Sequence, residues 1–501
     1  MALRTYLMVL YVISDVLKME ENLEKRDRRL DKRLFKFYIE GMNKRLINFH
    51  TLEVVMKIKA VKMTFLIAFF VFMFTSLLPS QSLFEQATGK DEEKPYELNG
   101  YLRGSLFVGK VFEKNSLEIK SGYGEASLKL RLRKQGFGDA FAEVRFRNGH
   151  EFQKTLSEIN IREAYVNAYV GPFDFRVGHQ IVVWGRADGW NPTDNITPRN
   201  MIIRSADEDD RRLANFLIRS YYNLQPIRFE AIWIPVFSPS YIPTDLVPFP
   251  QGIFLGEPDY PDMKLKNSAF ALRLNMELPS IDGSISYFNG HNPMPGLTAE
   301  VPDVVVPGAA LSVFPKSYRM HIVGADFSTV VAGSWGLRGE MAYRRPHQDY
   351  KSFIHIPNPD LQYVFGLDKE LGTNFSLIFQ YIGRYVLDFE ELEIPQNPAE
   401  IPSYEIALKN RLISFQQHKV SHSLSCRAAL ELMNELMSVE VFGLVNFTSN
   451  EALLRPKMTY DIADALTFSL GAELYSGPDN TLFGLVDSTL SAVFMELKAS
   501  F

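Results

Sequence analysis

The sequence predicts an all-β protein: a transmembrane, antiparallel, up-and-down β-barrel of about 18 strands, with 16 left open. Three observations predict it. From about Lys94 to the end, apolar and polar residues alternate with a period of two, which sends successive side chains to opposite faces of a strand. The connections between these runs divide into short turns and mostly longer loops, as in outer-membrane barrels. The last run alternates in the same way and ends on an aromatic residue, Phe501.

Composition removes competing classes. The chain has 501 residues, 46% hydrophobic and 23% charged, with a mean hydropathy of −0.09. That is too polar for a bundle of spanning helices and too apolar for a disordered chain. The one long uncharged apolar stretch, Thr64 to Leu78, covers 15 residues, short of the roughly 18 needed for a spanning helix. The single cysteine, Cys426, excludes an intrachain disulfide and any cysteine-based metal cluster. Residues 1–82 hold 14 Lys+Arg against 8 Asp+Glu, and the other 419 hold 40 against 51. With an acidic main body, a general nucleic-acid binder is not expected.

Residues 56–82 read as a secretory signal. Lys57, Lys59 and Lys62 form the positive region, Thr64 to Leu78 the apolar region, and Ser80-Gln81-Ser82 a small-residue cleavage site. Residues 1–55 precede it, dense in charge over 20–45. They read as an N-terminal extension produced by a start assigned too early, with Met56 or Met63 the true start, or alternatively as a basic cytoplasmic segment. Residues 83–95 are a short periplasmic lead-in, and 96–501 the barrel. About 13 residues between Ser82 and Tyr96 leave no room for a folded plug, which argues for passive or gradient-driven transport.

The strands follow in order. Ala126, Leu128, Leu130 and Leu132 alternate with Ser127, Lys129, Arg131 and Arg133. After a Gly136-to-Asp139 turn, Ala142, Val144 and Phe146 alternate with Glu143, Arg145 and Arg147. Similar runs start at Phe173, Phe270, Trp335, Phe375 and Phe468. Those near 160–170, 214–224 and 360–370 alternate least clearly. Short turns are expected near 136–139, 171–172, 224–226, 279–280, 332–334, 371–373, 433–436 and 462–465. Longer connections are expected at about 185–213, 238–265, 291–316, 345–359 and 387–418. Closure is required because lipid cannot satisfy a free sheet edge. In the final run Val493, Met495, Leu497, Ala499 and Phe501 share one face. Phe501, Ala499, Leu497 and Met495 are the candidate outer-membrane insertion signal.

Arg176 to Gly185, closing on Trp184-Gly185, is followed by Asn191-Pro192-Thr193-Asp194. With the alternation over 96–501, this resembles bacterial outer-membrane β-barrel porins, in particular a poorly characterised large-barrel family with a Trp-Gly strand end and an Asn-Pro loop. The resemblance implies a bacterial outer-membrane channel but carries no solute specificity.

Candidate pore-lining residues are Lys129, Arg131, Arg133, Glu143, Arg145, Arg147, Asp174, Arg176, Glu230, Arg273, Arg338 and Glu340. The cations on the early strands could form an anion-attracting wall, or pair with Glu143, Asp174, Glu230, Glu340, Glu440 and Glu473 to brace the lumen. Trp184, Arg186, Asp188, Asp194 and Arg199 are constriction-loop candidates if the turn-rich segment after Trp184 folds inward; a surface loop is the alternative. The acidic run Asp207 to Asp210 lacks a calcium-loop pattern. Residues 234–263 and 293–315 carry apolar clusters among prolines, which should keep them from forming strands. They are expected to pack over the mouth, or to make a gate for hydrophobic solutes.

No metal-ligand, nucleophile-elbow or nucleotide-binding motif appears, so no enzyme, cofactor or metal is expected. His418 and His422 are read as same-face residues of one strand, too far apart for one metal. The expected function is passive diffusion of small solutes. A gated transporter of hydrophobic compounds and a closed adhesin or structural barrel are the alternatives. Expected partners are outer-membrane lipid, the barrel-assembly machinery through the C-terminal strand, small solutes and a possible homo-oligomer.

Overall fold

The computed structural model describes residues 95–111, 114–134, 136–152, 154–242, 253–300, 311–397 and 400–501. The readings on the N-terminal extension, the signal segment and all but the last residue of the lead-in lie outside the described residues.

Eighteen strands form one closed antiparallel sheet. In chain order they begin with β1 (Tyr96–Val111), β2 (Lys114–Lys134), β3 (Gly138–Glu151), β4 (Lys154–Val170), β5 (Phe173–Gln180), β6 (Asn215–Leu224) and β7 (Ile227–Ile234). A short β8 (Ile253–Leu255) lies outside the barrel. The barrel resumes with β9 (Ala269–Glu277) and β10 (Ile281–His291). Next come β11 (Gly296–Glu300) and β12 (Leu311–Lys316), also outside it. β13 (Arg319–Val331), β14 (Trp335–Pro346), β15 (Asp360–Leu371) and β16 (Phe375–Val386) come after these. A helix α1 (Ile401–Ser414) precedes β17 (Val420–Leu432), β18 (Met437–Asn446), β19 (Glu451–Ala463) and β20 (Leu466–Ser476). A helix α2 (Leu482–Leu490) then leads into β21 (Ala492–Ser500).

Each barrel strand pairs with its predecessor in the barrel, and β21 closes the ring on β1 from Tyr101↔Ser500 to Val108↔Val493. Phe501 completes the seam: its N–H donates to the Gly100 carbonyl and the Gly100 N–H donates to its own carbonyl, both at 3.0 Å. The weakly alternating runs are full strands β4, β6 and β15. All eight expected short turns lie between barrel strands at the end that also carries Tyr96 and Phe501.

The outward face is apolar around the ring. Leu130, Val166, Leu272, Ile285, Phe365, Leu424, Leu454, Leu470 and Met495 are all exposed there. Aromatic side chains mark both rims. Tyr169, Phe173, Phe229 and Trp335 lie by the short turns; Phe216, Trp233, Tyr343 and Tyr385 lie by the long loops. An apolar band between two aromatic girdles is the lipid-facing surface of a membrane barrel. We expect Leu470→Arg, near the middle of β20, to cost about 2–4 kcal/mol of stability in lipid. Denaturant titration of the refolded barrel in vesicles checks this; an unchanged midpoint would put Leu470 outside the lipid.

The long connection expected at 387–418 is present and holds a helix, while the connection at 477–491 and the proline-rich loops depart from expectation. Residues 387–418 contain helix α1, set against Leu297 and Val313 through its buried Ile406. The connection at 477–491 carries α2 and is one of the longer ones; its Thr481 hydroxyl caps the helix by accepting from the Gly484 N–H. The proline-rich loops also form strands: β12 pairs antiparallel with β11 and parallel with β8. Pro315 is tolerated there because pairing with β8 stops at Val313, so no ladder bond is asked of its nitrogen.

Candidate solute passage

The lumen is built by the inward half of each strand's alternation. On β2, Tyr123, Glu125 and Ser127 are buried while Leu130 and Leu132 are exposed. On β1, Tyr101, Arg103 and Ser105 are buried. These polar rows would be untenable in lipid, and here they lie side by side on one inner wall, with Arg103 beside Glu125 and Ser105 beside Tyr123.

Strand β5 ends at Gln180, the next four residues Ile181 to Trp184 are apolar, and the turn formers begin at Gly185. Gly185 and Gly189 have φ of 100° and 79°, a region open mainly to glycine. A Cβ on Gly185 would also lie 2.6 Å from both Glu340 carboxylate oxygens. The chain therefore leaves the wall between β5 and β6 and runs inside the barrel. This strap, residues 181–214, is pinned to most of the ring.

Its root is apolar: Trp184, 2% exposed, packs with Val182, Ile196, Leu217, Ile232, Phe288 and Met320. Trp184 thus anchors the strap and does not face open lumen. Next to it Glu340 on β14 accepts four hydrogen bonds. Its Oε2 takes the Arg186 and Ala187 N–H at 3.0 and 3.2 Å, and its Oε1 takes the Thr193 N–H and hydroxyl at 2.8 and 2.7 Å. Arg186 donates to Asp326 on β13 at 2.7 Å, and Arg273 on β9 reaches the same carboxylate at 3.0 Å. Asp188 receives Arg427 of β17 at 2.8 Å. Asp194 receives Arg212 and Arg199 at 2.6 and 3.2 Å.

The second half of the strap reaches the early and late strands. Asp210 binds Arg103 of β1 at 2.7 Å and Arg145 of β3 at 2.5 Å, and receives the Ser205 hydroxyl at 2.5 Å. Burial acts to raise the Asp210 carboxyl, but Arg103 and Arg145 outweigh it and hold the group well below the usual carboxylate range. Glu473 on β20 gathers Arg204 at 2.9 Å and Arg211 and Arg455 at 2.7 Å. Glu208 contacts Arg455 as well.

The early-strand cations are largely met by carboxylates. Arg147 pairs with Glu125 at 2.8 Å, Arg145 with Glu143 at 2.6 Å, Lys129 with Glu143 at 3.9 Å, and Arg133 with Glu97 at 2.8 Å. Arg131 lies over the Phe141 ring, and Arg176 over Tyr165 while donating to Asn167. Asp174 accepts from Asn223, Glu230 pairs with Arg219, and Arg338 with Asp368. Arg103, Glu125, Asp210 and Asp326 are central to this network and were absent from the sequence candidates. For Arg103 a signal was available: it stands between Tyr101 and Ser105 in the inward register of the first strand. Among the described residues no group of three or more His, Cys, Asp or Glu is placed to hold a metal ion. His418 precedes β17 and His422 lies within it, bonded to the Tyr381 hydroxyl at 2.6 Å, so the shared-strand reading of the two histidines is corrected.

The chain is a membrane-spanning barrel crossed by its own strap. No protein-family model matches it, and no curated protein matches it. Solved structures align over most of the barrel. OccAB3 of Acinetobacter baumannii is 10% identical, with 81% of this chain and 99% of that one covered and a TM-score of 0.48. OpdK of Pseudomonas aeruginosa, solved with vanillate, is 8% identical, with 81% and 98% covered and a TM-score of 0.48. OccK11 (OpdR) of Pseudomonas aeruginosa is 11% identical, with 81% and 95% covered and a TM-score of 0.45. The reading of the passage therefore rests on this chain's own contacts.

Proposed function

We propose that the protein is a bacterial outer-membrane, porin-like channel for small solutes, acting by diffusion through a lumen narrowed by the strap. One observation carries this reading: a segment rich in charge is held inside a closed barrel by ion pairs to β1, β3, β13, β17, β19 and β20. A barrel that served only as a lipid-embedded scaffold would need no buried charges at its waist, where each must be paired to be tolerated. Fixed pairs of opposite sign leave polar walls without a strong net field, which suits passage of small hydrated solutes. The same reading assigns the apolar alternation Met495, Leu497, Ala499 and Phe501 to recognition by the barrel-assembly machinery, and the outer belt to lipid.

Planar-bilayer recording of the refolded barrel under a salt gradient tests it. Discrete open steps with a small reversal potential are expected, because the carboxylates Glu125, Glu143 and Asp210 offset the cations of β1 and β3. A barrel proven closed by heat-modifiable gel migration but silent in the bilayer would remove the channel reading.

A further inference from the structure

Beside the strap lies a cavity of about 340 Å³. α1 and α2 contribute Leu412, Ile413, Leu482 and Val486 to it, β18 contributes Phe442, and the strap contributes Trp190. Its volume is that of a site for a metabolite-sized molecule. The wall is mainly apolar, with Gln417, His418, Ser421, Ser423 and Asn446 supplying polar edges where water can find partners.

Charged groups also border the cavity, but they are engaged elsewhere. Arg204 and Arg211 pair with Glu473, and Glu208 with Arg455 and Arg427. Arg384 faces Asp360 at 3.6 Å and donates to the carbonyls of Ser414 and Phe415. Glu451 accepts from the Ser449 hydroxyl and the Phe483 N–H at 2.6 Å each. Glu405, one turn before Lys409 on α1, supports that ammonium against the burial that lowers its pKa. An anion entering here would lose its hydration and find its potential counter-charges committed, a costly exchange.

On the far side the cavity is bounded by an aromatic partition. Trp190 and Phe415 meet edge to face, 5.1 Å between centroids. The Arg384 guanidinium lies 5.6 Å from the first ring and 5.5 Å from the second. Beyond it is a second cavity of about 190 Å³, bordered by polar residues that include Asp194, Arg344, Asp360 and Gln362. The apolar compartment thus ends where the more polar cavity begins.

We propose that this compartment is a binding site for an uncharged, predominantly apolar solute of aromatic or similar bulk, which it holds at the mouth before passage beside the strap. Passage after binding rests on the channel reading, but binding itself is measurable without current.

The test uses 2-naphthol and 2-naphthoate, which share a ring system and differ in charge at neutral pH. Each is titrated calorimetrically into the refolded full barrel in lipid nanodiscs, with heats from empty nanodiscs subtracted. Saturable one-to-one binding of 2-naphthol is expected, at least about tenfold tighter than that of the carboxylate. Leu412→Gln and Leu482→Gln, each placing an amide in the apolar wall, should each weaken it about tenfold. Heat-modifiable migration verifies that each variant has folded. Equal affinity in wild type and both folded variants, or preference for the anion, would overturn the site. Conductance measured on the same preparations separates the two ideas: binding in a silent barrel removes the channel and keeps the site, while a conducting barrel without selective binding does the reverse.

Discussion

Replacing residues 186–212 with a short glycine-serine turn should raise single-channel conductance severalfold, because pore current depends on the narrowest cross-section. The excision is geometrically mild at its ends: Gln180 and Asn215 are cross-strand partners, so the wall between β5 and β6 is continuous without the strap. Trp184 stays and keeps its packing against Leu217 and Phe288. Lumen charges released from strap partners, such as Arg103 and Glu340, become exposed to water and not to lipid. A graded companion is Glu340→Gln. One acceptor oxygen becomes an NH2 group that faces donors, either the Arg186 and Ala187 N–H or the Thr193 pair. Each lost charge-assisted bond is worth about 1.5–3 kcal/mol. The strap should then loosen while remaining present, and the current should become noisy with added substates. If conductance is identical in wild type and strap deletion, the strap does not set the constriction.

Glu473→Gln should be the most destabilising single substitution in the lumen, by about 3–5 kcal/mol. Glu473 is 1% exposed and binds three guanidiniums: Arg204 and Arg211 from the strap and Arg455 from β19. Arg204 is itself 1% exposed, and its other bonds are to backbone carbonyls at Ile202, Met201 and Leu490. Neutralising the carboxylate leaves three cations repelling one another around an amide that offers a single acceptor. The loss should appear as a lower denaturant midpoint in vesicles. A second substitution, Arg455→Gln, should recover part of it by removing one of the three crowded cations, whose other partner Glu208 keeps Arg427, a non-additivity expected of groups that share a partner. A midpoint unchanged in the single variant would mean that water reaches this cluster freely.

The residues differ in how far a linear reading reaches them. The period-two alternation placed Arg145, Arg147, Glu230 and Glu340 on the inward face without any knowledge of their neighbours, because strand geometry alone fixes the face. It could not say that Arg147 meets Glu125 or that Asp210 sits between Arg103 and Arg145. Those pairs join residues 22, 107 and 65 positions apart, and register and strap path decide them.

The helices were hidden for a related reason. α1 begins beside Pro402 and has a mixed face, and α2 is short. Each is held by tertiary contact: Ile406 against Leu297 and Val313, and Val486 and Leu490 against Tyr475. Helices of that length depend on packing more than on propensity.

What the sequence alone determined is therefore the barrel: its strands, its eight tight turns, its lipid-facing side and its polar interior, all consequences of local alternation and of the demand that lipid-embedded backbone be bonded internally. What only the tertiary structure decided is how the interior is used. A strap that leaves the wall at Gln180, ion pairs that neutralise an apparently basic face, and an apolar cavity framed by two loop helices all depend on groups distant in sequence meeting in space, and the spacing of residues along the chain does not encode those meetings.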